Sequence, residues 1–345
     1  MLKMSGYFDK LREAIEPDKK YKKEAQKADD PVREHLETHE SFAHRHVSTF
    51  LYGSYRRSTA EGNIKDVDIV VVTNYTTRDK PVSVLNALKD SLAELYDEPD
   101  LADQRRSIRV DRPLPEVPES ELTLDVIPAI NQGKPGGPLW VPDRDKEIWV
   151  PSHPQGHIDH ASSLNARSYQ ERAFVRLTKM MKWWWKYQFE LKRAGMEAHR
   201  RKPKGFWIEV MTGEYTDLSQ ESYPQLIISL LENAFNSFKS FRSSRRIPTL
   251  EDPGLRGQRI KTSITEDEFA LFLDTIEESL AWARLALNAT TEEKAAEYWQ
   301  KLFGEKFPSA ENMKKSASLL SAAATPGGLS FPNKPVQPQK PGGFA

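Results

Sequence analysis

Asp66 and Asp68 open the run Asp66-Val67-Asp68-Ile69-Val70-Val71-Val72, whose branched residues predict a strand. Side chains two apart on a strand share a face and lie roughly 6.5–7 Å apart along it, so both carboxylates look the same way and Val67 turns away. Two carboxylates at that separation can straddle a pair of Mg²⁺ ions about 3.5–4 Å apart, and such hard cations keep phosphate oxygens among their remaining ligands. The valines that follow predict a buried strand, beside which unpaired charge is costly unless cations neutralise it. A third acid is wanted on a neighbouring strand. Asp125 supplies it within Leu122-Thr123-Leu124-Asp125-Val126-Ile127-Pro128, a short apolar run whose proline is expected to stop pairing.

Upstream, Val47 to Tyr52 reads as another strand, and it runs into Gly53-Ser54. A glycine there lets the backbone approach a phosphate closely, and the Ser54 hydroxyl with adjacent N–H groups can donate to triphosphate oxygens. Gly-Ser alone is ordinarily just a turn, and Asp-x-Asp alone is commonly a solvated strand end. Their conjunction with a second acidic strand points to a metal and triphosphate site.

The elements that must position these residues can be read coarsely. Residues 5–47 carry helical periodicity and many charges, enough for one or two leading helices. A sheet is expected over about 48–150, with a helix at Val82–Leu95. Pro113, Pro115 and Pro118 mark an exposed loop before the Asp125 strand, and Pro135, Gly136, Gly137 and Pro138 another after it. From Ser168 onward helical patterns dominate. Between Ser168 and Phe189, Phe174, Leu177, Thr178, Met181, Trp185 and Phe189 recur at three- and four-residue steps, a stripe that reads as core. Lys179, Lys182 and Lys186 run beside it, by default on the solvated side of the helix, while Trp183 and Trp184 border it and are expected to pack between domains. His153, His157 and His160 have a superficially metal-like spacing, but Pro151, Pro154 and Gly156 interrupt the segment and argue against zinc. His35 and His39 are expected to be exposed.

Composition sets limits. Fifty Lys plus Arg balance fifty Asp plus Glu in 345 residues, so no global field draws in long nucleic acid, which is not a required partner on this reading. Local basic groups remain: Arg56, Arg57 and Lys65 flank the acids in sequence, as do Arg105, Arg106 and Arg109. The chain has no cysteine, which excludes disulfides, thiolate metal sites and a cysteine nucleophile. No apolar run approaches the roughly 20 residues of a membrane span, and residues 1–6 lack a signal peptide's apolar core, so a cytoplasmic protein is expected.

Gly-Ser, a spacer, an acid-x-acid strand and a later third acid together resemble the polymerase-beta-like nucleotidyltransferases. Further segments resemble the bacterial relatives of cyclic GMP-AMP synthase and oligoadenylate synthase, the cyclic oligonucleotide synthases of anti-phage defence. Trp140-Val141-Pro142-Asp143-Arg144 and Trp149-Val150-Pro151-Ser152-His153-Pro154 resemble that family's hairpin leading to an Asn-containing helix start, here Asn165. Phe174 to Trp183 resembles its Lys-bearing helix, Phe206 to Val210 its aromatic-to-Glu helix, and Glu251-Asp252-Pro253-Gly254 an Asp-Pro element that lacks the family's following proline and asparagine.

The resemblance implies an α+β fold, a polymerase-beta-like nucleotidyltransferase sheet domain packed on a C-terminal helical, oligoadenylate-synthase-like domain. The expected boundaries are an N-terminal helical segment over 1–47, the catalytic domain over 48–165, the helical domain over 166–320 and a flexible tail over 321–345. It implies synthesis of a cyclic di- or trinucleotide from ribonucleoside triphosphates with two Mg²⁺, Mn²⁺ being the alternative. Asp66, Asp68 and Asp125 would be catalytic and metal-binding, and Gly53, Ser54 and a helix lysine, Lys182 ahead of Lys179, would hold the nucleotide. The setting implied is CBASS-type defence. Related synthases carry C-terminal tails that a ubiquitin-activating-like partner conjugates, although this tail ends Phe344-Ala345 and not in glycine. Two other readings stay open: transfer to an RNA 3′ end, a transfer RNA or a small molecule, and a binding module with a decayed site, which the intact acids disfavour.

Overall fold

A computed structural model describes residues 2, 4–97, 100–114, 120–131, 133–193 and 201–316. The tail, with its expected conjugation end, and Pro115 and Pro118 lie outside the described residues. Three helices lead, α1 (Ser5–Ile15), α2 (Lys19–Gln26) and α3 (Asp30–Thr38), followed by β1 (His46–Tyr52), a single helical turn α4 (Gly53–Arg56), β2 (Asp66–Thr73) and α5 (Pro81–Leu92). Next come β3 (Leu101–Asp103), β4 (Ile108–Pro113), β5 (Glu121–Asn131), β6 (Leu139–Asp143) and β7 (Ile148–Ser152). The remainder is α6 (Pro154–Arg167), α7 (Ala173–Arg193), α8 (Gly205–Tyr215), α9 (Tyr223–Phe238), α10 (Phe241–Ser244), the short ladder β8 (Leu250–Glu251) with β9 (Arg259–Ile260), α11 (Glu266–Leu287) and α12 (Glu292–Phe303). The fold is α+β, a polymerase-beta-like sheet packed on helices. No described helix is long and apolar enough to cross a membrane.

The sheet runs β1-β2-β5-β4-β3, with β6 joining β5 and β7 joining β6. At its centre β2 and β5 pair in parallel with Asp68 opposite Asp125, while β1 brings Tyr52 opposite Asp68 from the other side. Alternation then sorts the side chains. Val67, Ile69 and Val71 join Leu122, Leu124 and Val126 in one core with residues of α2, α3 and α5. Val70 and Val72 turn to the opposite face, the one Asp66 and Asp68 share, and pack with Ala129, Leu139 and Val141.

Pro128 does not end its strand, as the sequence led us to expect. β5 continues to Asn131, and Pro128 lies opposite Val71. On the side of β5 away from β2, β4 pairs only as far as Val126 and β6 begins at Ile130, so the missing N–H of Pro128 falls where no strand needs it.

A second core is built around α7, where Trp184, Trp207, Phe269 and Phe272 are all fully buried. The leading residues divide between the two cores: α1 puts Phe8 against Trp299 at a centroid distance of 5.1 Å, whereas α2 and α3 cover the sheet. Trp184 lies inside the helical core, donating to Ser279 Oγ at 2.9 Å, and so does not bridge sheet and helices. Only Trp183 stays at the border, its ring nitrogen on Phe303 O. Three other expectations fail locally. Lys179 and Lys182 are buried rather than solvated, because each meets a carboxylate. His39 is buried, with Nε2 3.1 Å from Glu94 Oε1. Asn165 stands in the last turn of α6, and its side chain accepts from Val175 N, one of the otherwise unpaired N–H groups at the start of α7.

Candidate active site

The strand register puts Asp68 and Asp125 side by side on parallel strands, with Asp66 one pleat away on the same face as Asp68. Gly53 follows β1 directly at φ +72°, and a β-carbon built on it would stand 1.8 Å from Asp68 Oδ2. Only glycine tolerates both the conformation and the contact, so the Gly53-Ser54 backbone is laid against the carboxylate. Around this junction opens a cleft of ≈ 1040 Å³, with Tyr52, Gly53, Ser54 and the three acids on the sheet side and Lys182, Trp183, Lys186, Phe206 and Lys306 on the helical side.

The acids carry more negative charge than their surroundings compensate. Burial, then the neighbouring Asp125, pushes Asp68 up to about 6 despite the opposing Arg57. Asp125 is likewise raised by burial and by Asp66, against a hydrogen bond from Ser107 Oγ at 3.2 Å. Among the described residues no three acidic or histidine side chains close around a single point. The donors form an open row of carboxylate oxygens on two strands facing a cleft, the chemistry a hard divalent cation takes when substrate supplies its other ligands.

Beneath the Gly-Ser turn lies a buried charge network. Glu209 on α8 accepts from Arg57 Nε at 2.7 Å, Arg57 Nη2 at 3.3 Å, Thr59 Oγ1 at 2.7 Å and Lys182 Nζ at 3.0 Å. Burial alone would raise its pKa, but Lys182 and Arg57 outweigh that and bring it down to about 2. Lys182 Nζ also donates to Thr59 O at 3.1 Å, so α7 and α8 hold the residues after α4 from below. A second relay reaches the same place: Tyr52 Oη lies 2.6 Å from His157 Nδ1, and His157 Nε2 lies 2.7 Å from Asp252 Oδ1. Nε2 donating to the carboxylate and Nδ1 accepting from the phenol satisfies both bonds.

Of the residues expected at the site, Gly53, Ser54, Asp66, Asp68, Asp125 and Lys182 line one cleft. Lys179 does not join them: its ammonium is 2.8 Å from Glu16 and lines a different cavity. Arg105 and Arg109 are engaged with Asp143 and Asp111, while Arg106 and Lys65 line the cleft. His153 binds backbone carbonyls of Gly254 and Gly136. Sequence reasoning missed the roles of Thr59, Tyr52, His157 and Glu209. Glu209 had a signal, a lone acid in the apolar helical run Phe206 to Met211, which is tolerable only if paired.

Residues 2–165 match the Second Messenger Oligonucleotide or Dinucleotide Synthetase domain family. Over its whole length the chain is 35% identical to a cyclic AMP-AMP-AMP synthase of an Acinetobacter strain, of which it covers 98%. The chain belongs to this family of bacterial cyclic oligonucleotide synthases. It is accordingly a nucleotidyltransferase. Within the family it is also 26% identical, over 100% of both chains, to the cyclic AMP-AMP-GMP synthase of Enterobacter hormaechei. Solved structures share the fold: CdnC of E. coli MS115-1 with ATP has a TM-score of 0.66 at 18% identity, covering 88% of this chain and 98% of that one. The cyclic AMP-GMP synthase DncV of Vibrio cholerae has a TM-score of 0.58 at 13% identity, covering 76% of this chain and 70% of that one.

Proposed function

We propose that this cleft condenses ribonucleoside triphosphates into a cyclic trinucleotide containing adenine, as a second messenger in CBASS-type anti-phage defence. The observation that carries the catalytic reading is the contact of the Gly53 backbone with Asp68, whose strand partner is Asp125: a phosphate-cradling turn and the acids meet at one point. A ring of three is favoured over two because the full-length relatives are named for cyclic AMP-AMP-AMP and cyclic AMP-AMP-GMP. The cleft, at ≈ 1040 Å³, reaches the top of the range of about 300–1,000 Å³ for single small-molecule sites and has room for a donor and an acceptor.

Asp66, Asp68 and Asp125 would hold the divalent cations, Mg²⁺ first and Mn²⁺ as the substitute. Bound there, such cations would offset phosphate charge and acidify a ribose hydroxyl, whose oxygen bonds to the α-phosphorus as the bond to the departing pyrophosphate breaks. The chain's own residues bind and orient. Ser54 and the adjoining N–H groups donate to the donor's phosphate oxygens. Arg57, Thr59, Lys182 and Glu209 keep that turn in place, so Lys182 acts on the triphosphate through the turn it supports. Lys186 and Lys306, both near the Trp183 ring, add positive charge along the helical wall where the growing product must lie. Positioning and charge neutralisation account for the rate enhancement in this reading.

The test is incubation of the purified chain with the four ribonucleoside triphosphates and Mg²⁺, phosphatase treatment and mass spectrometry, beside an Asp66→Ala/Asp68→Ala control. A phosphatase-resistant trinucleotide absent from the control is expected. Products that remain phosphatase-sensitive, or nucleotides added only to supplied RNA, would overturn the proposal.

A further inference from the structure

The turn that lines the catalytic cleft with Gly53 and Ser54 lines a second cavity, of ≈ 340 Å³, with Tyr55, Arg56 and Ser58. None of the three acids reaches it. Facing the turn are Lys22 from α2, Lys179 from α7 and Arg172, which stands just ahead of α7. Glu16 is the one carboxylate in the lining, and it is already shared by Lys22 and Lys179, whose Nζ is 2.8 Å away. Arg56 and Arg172 have no carboxylate partner among the described residues.

This local excess of positive charge is notable in a chain with equal numbers of acidic and basic residues. Lys179, almost wholly buried, has its pKa lowered by burial and further by Lys22 and Arg172, with Glu16 opposing. Ser58 at φ 60° and Arg172 at φ 58° adopt left-handed backbone conformations that are unfavourable for residues with a β-carbon, and both line this cavity. Backbone strain of this kind collects at ligand clamps.

We propose that this cavity binds a phosphorylated small molecule of about mononucleotide size, and that its occupation braces the Gly53-Ser54 turn. The cations supply phosphate ligands from two sides, Arg56 on the turn and Arg172, Lys22 and Lys179 facing it. Tyr55, Ala60, Pro17 and Ile64 give a less polar wall for the rest of the molecule. Coupling is short-range and local. Tyr55 Oη donates to Lys22 O at 3.2 Å, Arg57 N to Gly53 O at 3.2 Å and Thr59 N to Ser54 O at 2.9 Å, so a ligand held by Arg56 fixes residues hydrogen-bonded to both cleft residues. Binding here is independent of which product the cleft makes; only its effect on turnover rests on that reading.

The test is calorimetric titration of the full chain with AMP and with inorganic phosphate in EDTA, which removes the cations that nucleotide binding at the acids would need. Wild type, Arg56→Ala/Arg172→Ala and Ser54→Ala are compared, both arginines being exposed and so replaceable without loss of the core. One-site binding weakened at least about tenfold in the double variant and unchanged in Ser54→Ala is expected, with AMP tighter than phosphate. Added AMP should also shift the synthesis rate of wild type and not of the double variant. Equal affinity in wild type and double variant, loss in Ser54→Ala instead, or no binding of either probe at millimolar concentration overturns the proposal.

Discussion

Gly53 and Asp68 are packed so closely that any β-carbon at residue 53 would overlap the Asp68 carboxylate, at 1.8 Å from Oδ2. The sheet makes this contact unavoidable, because β1 pairs Tyr52 with Asp68 and the chain then turns over it. Gly53→Ala should therefore lower turnover by about a hundredfold or more, in line with the effect of displacing a catalytic group by an ångström. Stability should fall by at least about 1–2 kcal/mol, the cost of a left-handed alanine, with the displacement of the Asp68 side chain adding to it. Initial rates and thermal melting measured on the same preparation check both; a variant with near wild-type rate would show that the contact is incidental.

Asp68 is held at a cost. Its carboxylate is half-buried beside Asp125 and pushed up to about 6, so at neutral pH the folded state carries a desolvation and repulsion cost that the unfolded chain escapes. Asp68→Asn should abolish turnover and yet raise Tm at pH 8 in EDTA. Adding Mg²⁺ with nucleotide should stabilise wild type and leave the variant nearly unchanged, closing the gap. Differential scanning fluorimetry with and without the cation is sufficient, and an Asn variant that melts below wild type in EDTA would contradict the argument.

Glu209 behaves in the opposite sense. Lys182 and Arg57 bring its carboxyl down to about 2 from an ordinary value near 4.5, so the folded state favours the ionised form. The stabilisation is present above the ordinary value and is lost as pH falls from there through about 2. Glu209→Gln leaves two buried cations short of a partner and should cost about 3–5 kcal/mol at pH 7. The difference from wild type should shrink steadily below pH 4.5, which denaturant titrations at pH 7 and pH 3.5 would reveal. An equal difference at both pH values would mean that the pairing does not govern this residue.

The acids, the Gly-Ser turn and the strands bearing them were legible because each has a local signature: branched runs with period two, a glycine after a strand, charge placed against valines. What was not legible is long-range pairing. Lys182 and Lys179 have the same spacing from the apolar stripe of α7, and only the position of Thr59 and Glu209 against one and Glu16 against the other separates them. Pro128 misled because the sequence reports its missing donor but not which flank of β5 lacks a partner strand. The local spacing of His157 to His153 and His160 says nothing of its actual bonds, to Tyr52 and Asp252, which join residues 105 and 95 positions away in the chain.

That histidine carries the last prediction. Tyr52 lines the cleft next to Gly53, and His157 ties its hydroxyl to Asp252 in the loop beyond β8. Burial and the nearby Asp68 raise the Tyr52 pKa, so the phenol stays protonated and donates. His157→Phe keeps a ring in place but leaves the phenol without its acceptor, while Asp252 retains the N–H groups of Gly254 and Leu255. A loss of about 1 kcal/mol is expected, the lower end of the cost of an unsatisfied polar group, because Tyr52 is only half-buried. Because Tyr52 forms part of the cleft wall, KM for the triphosphates should rise more than kcat falls. Tyr52→Phe should be less harmful in the His157→Phe background than in wild type, with a coupling of about 0.5–3 kcal/mol from a double-mutant cycle. Strict additivity of the two substitutions would show that the relay does not hold the tyrosine.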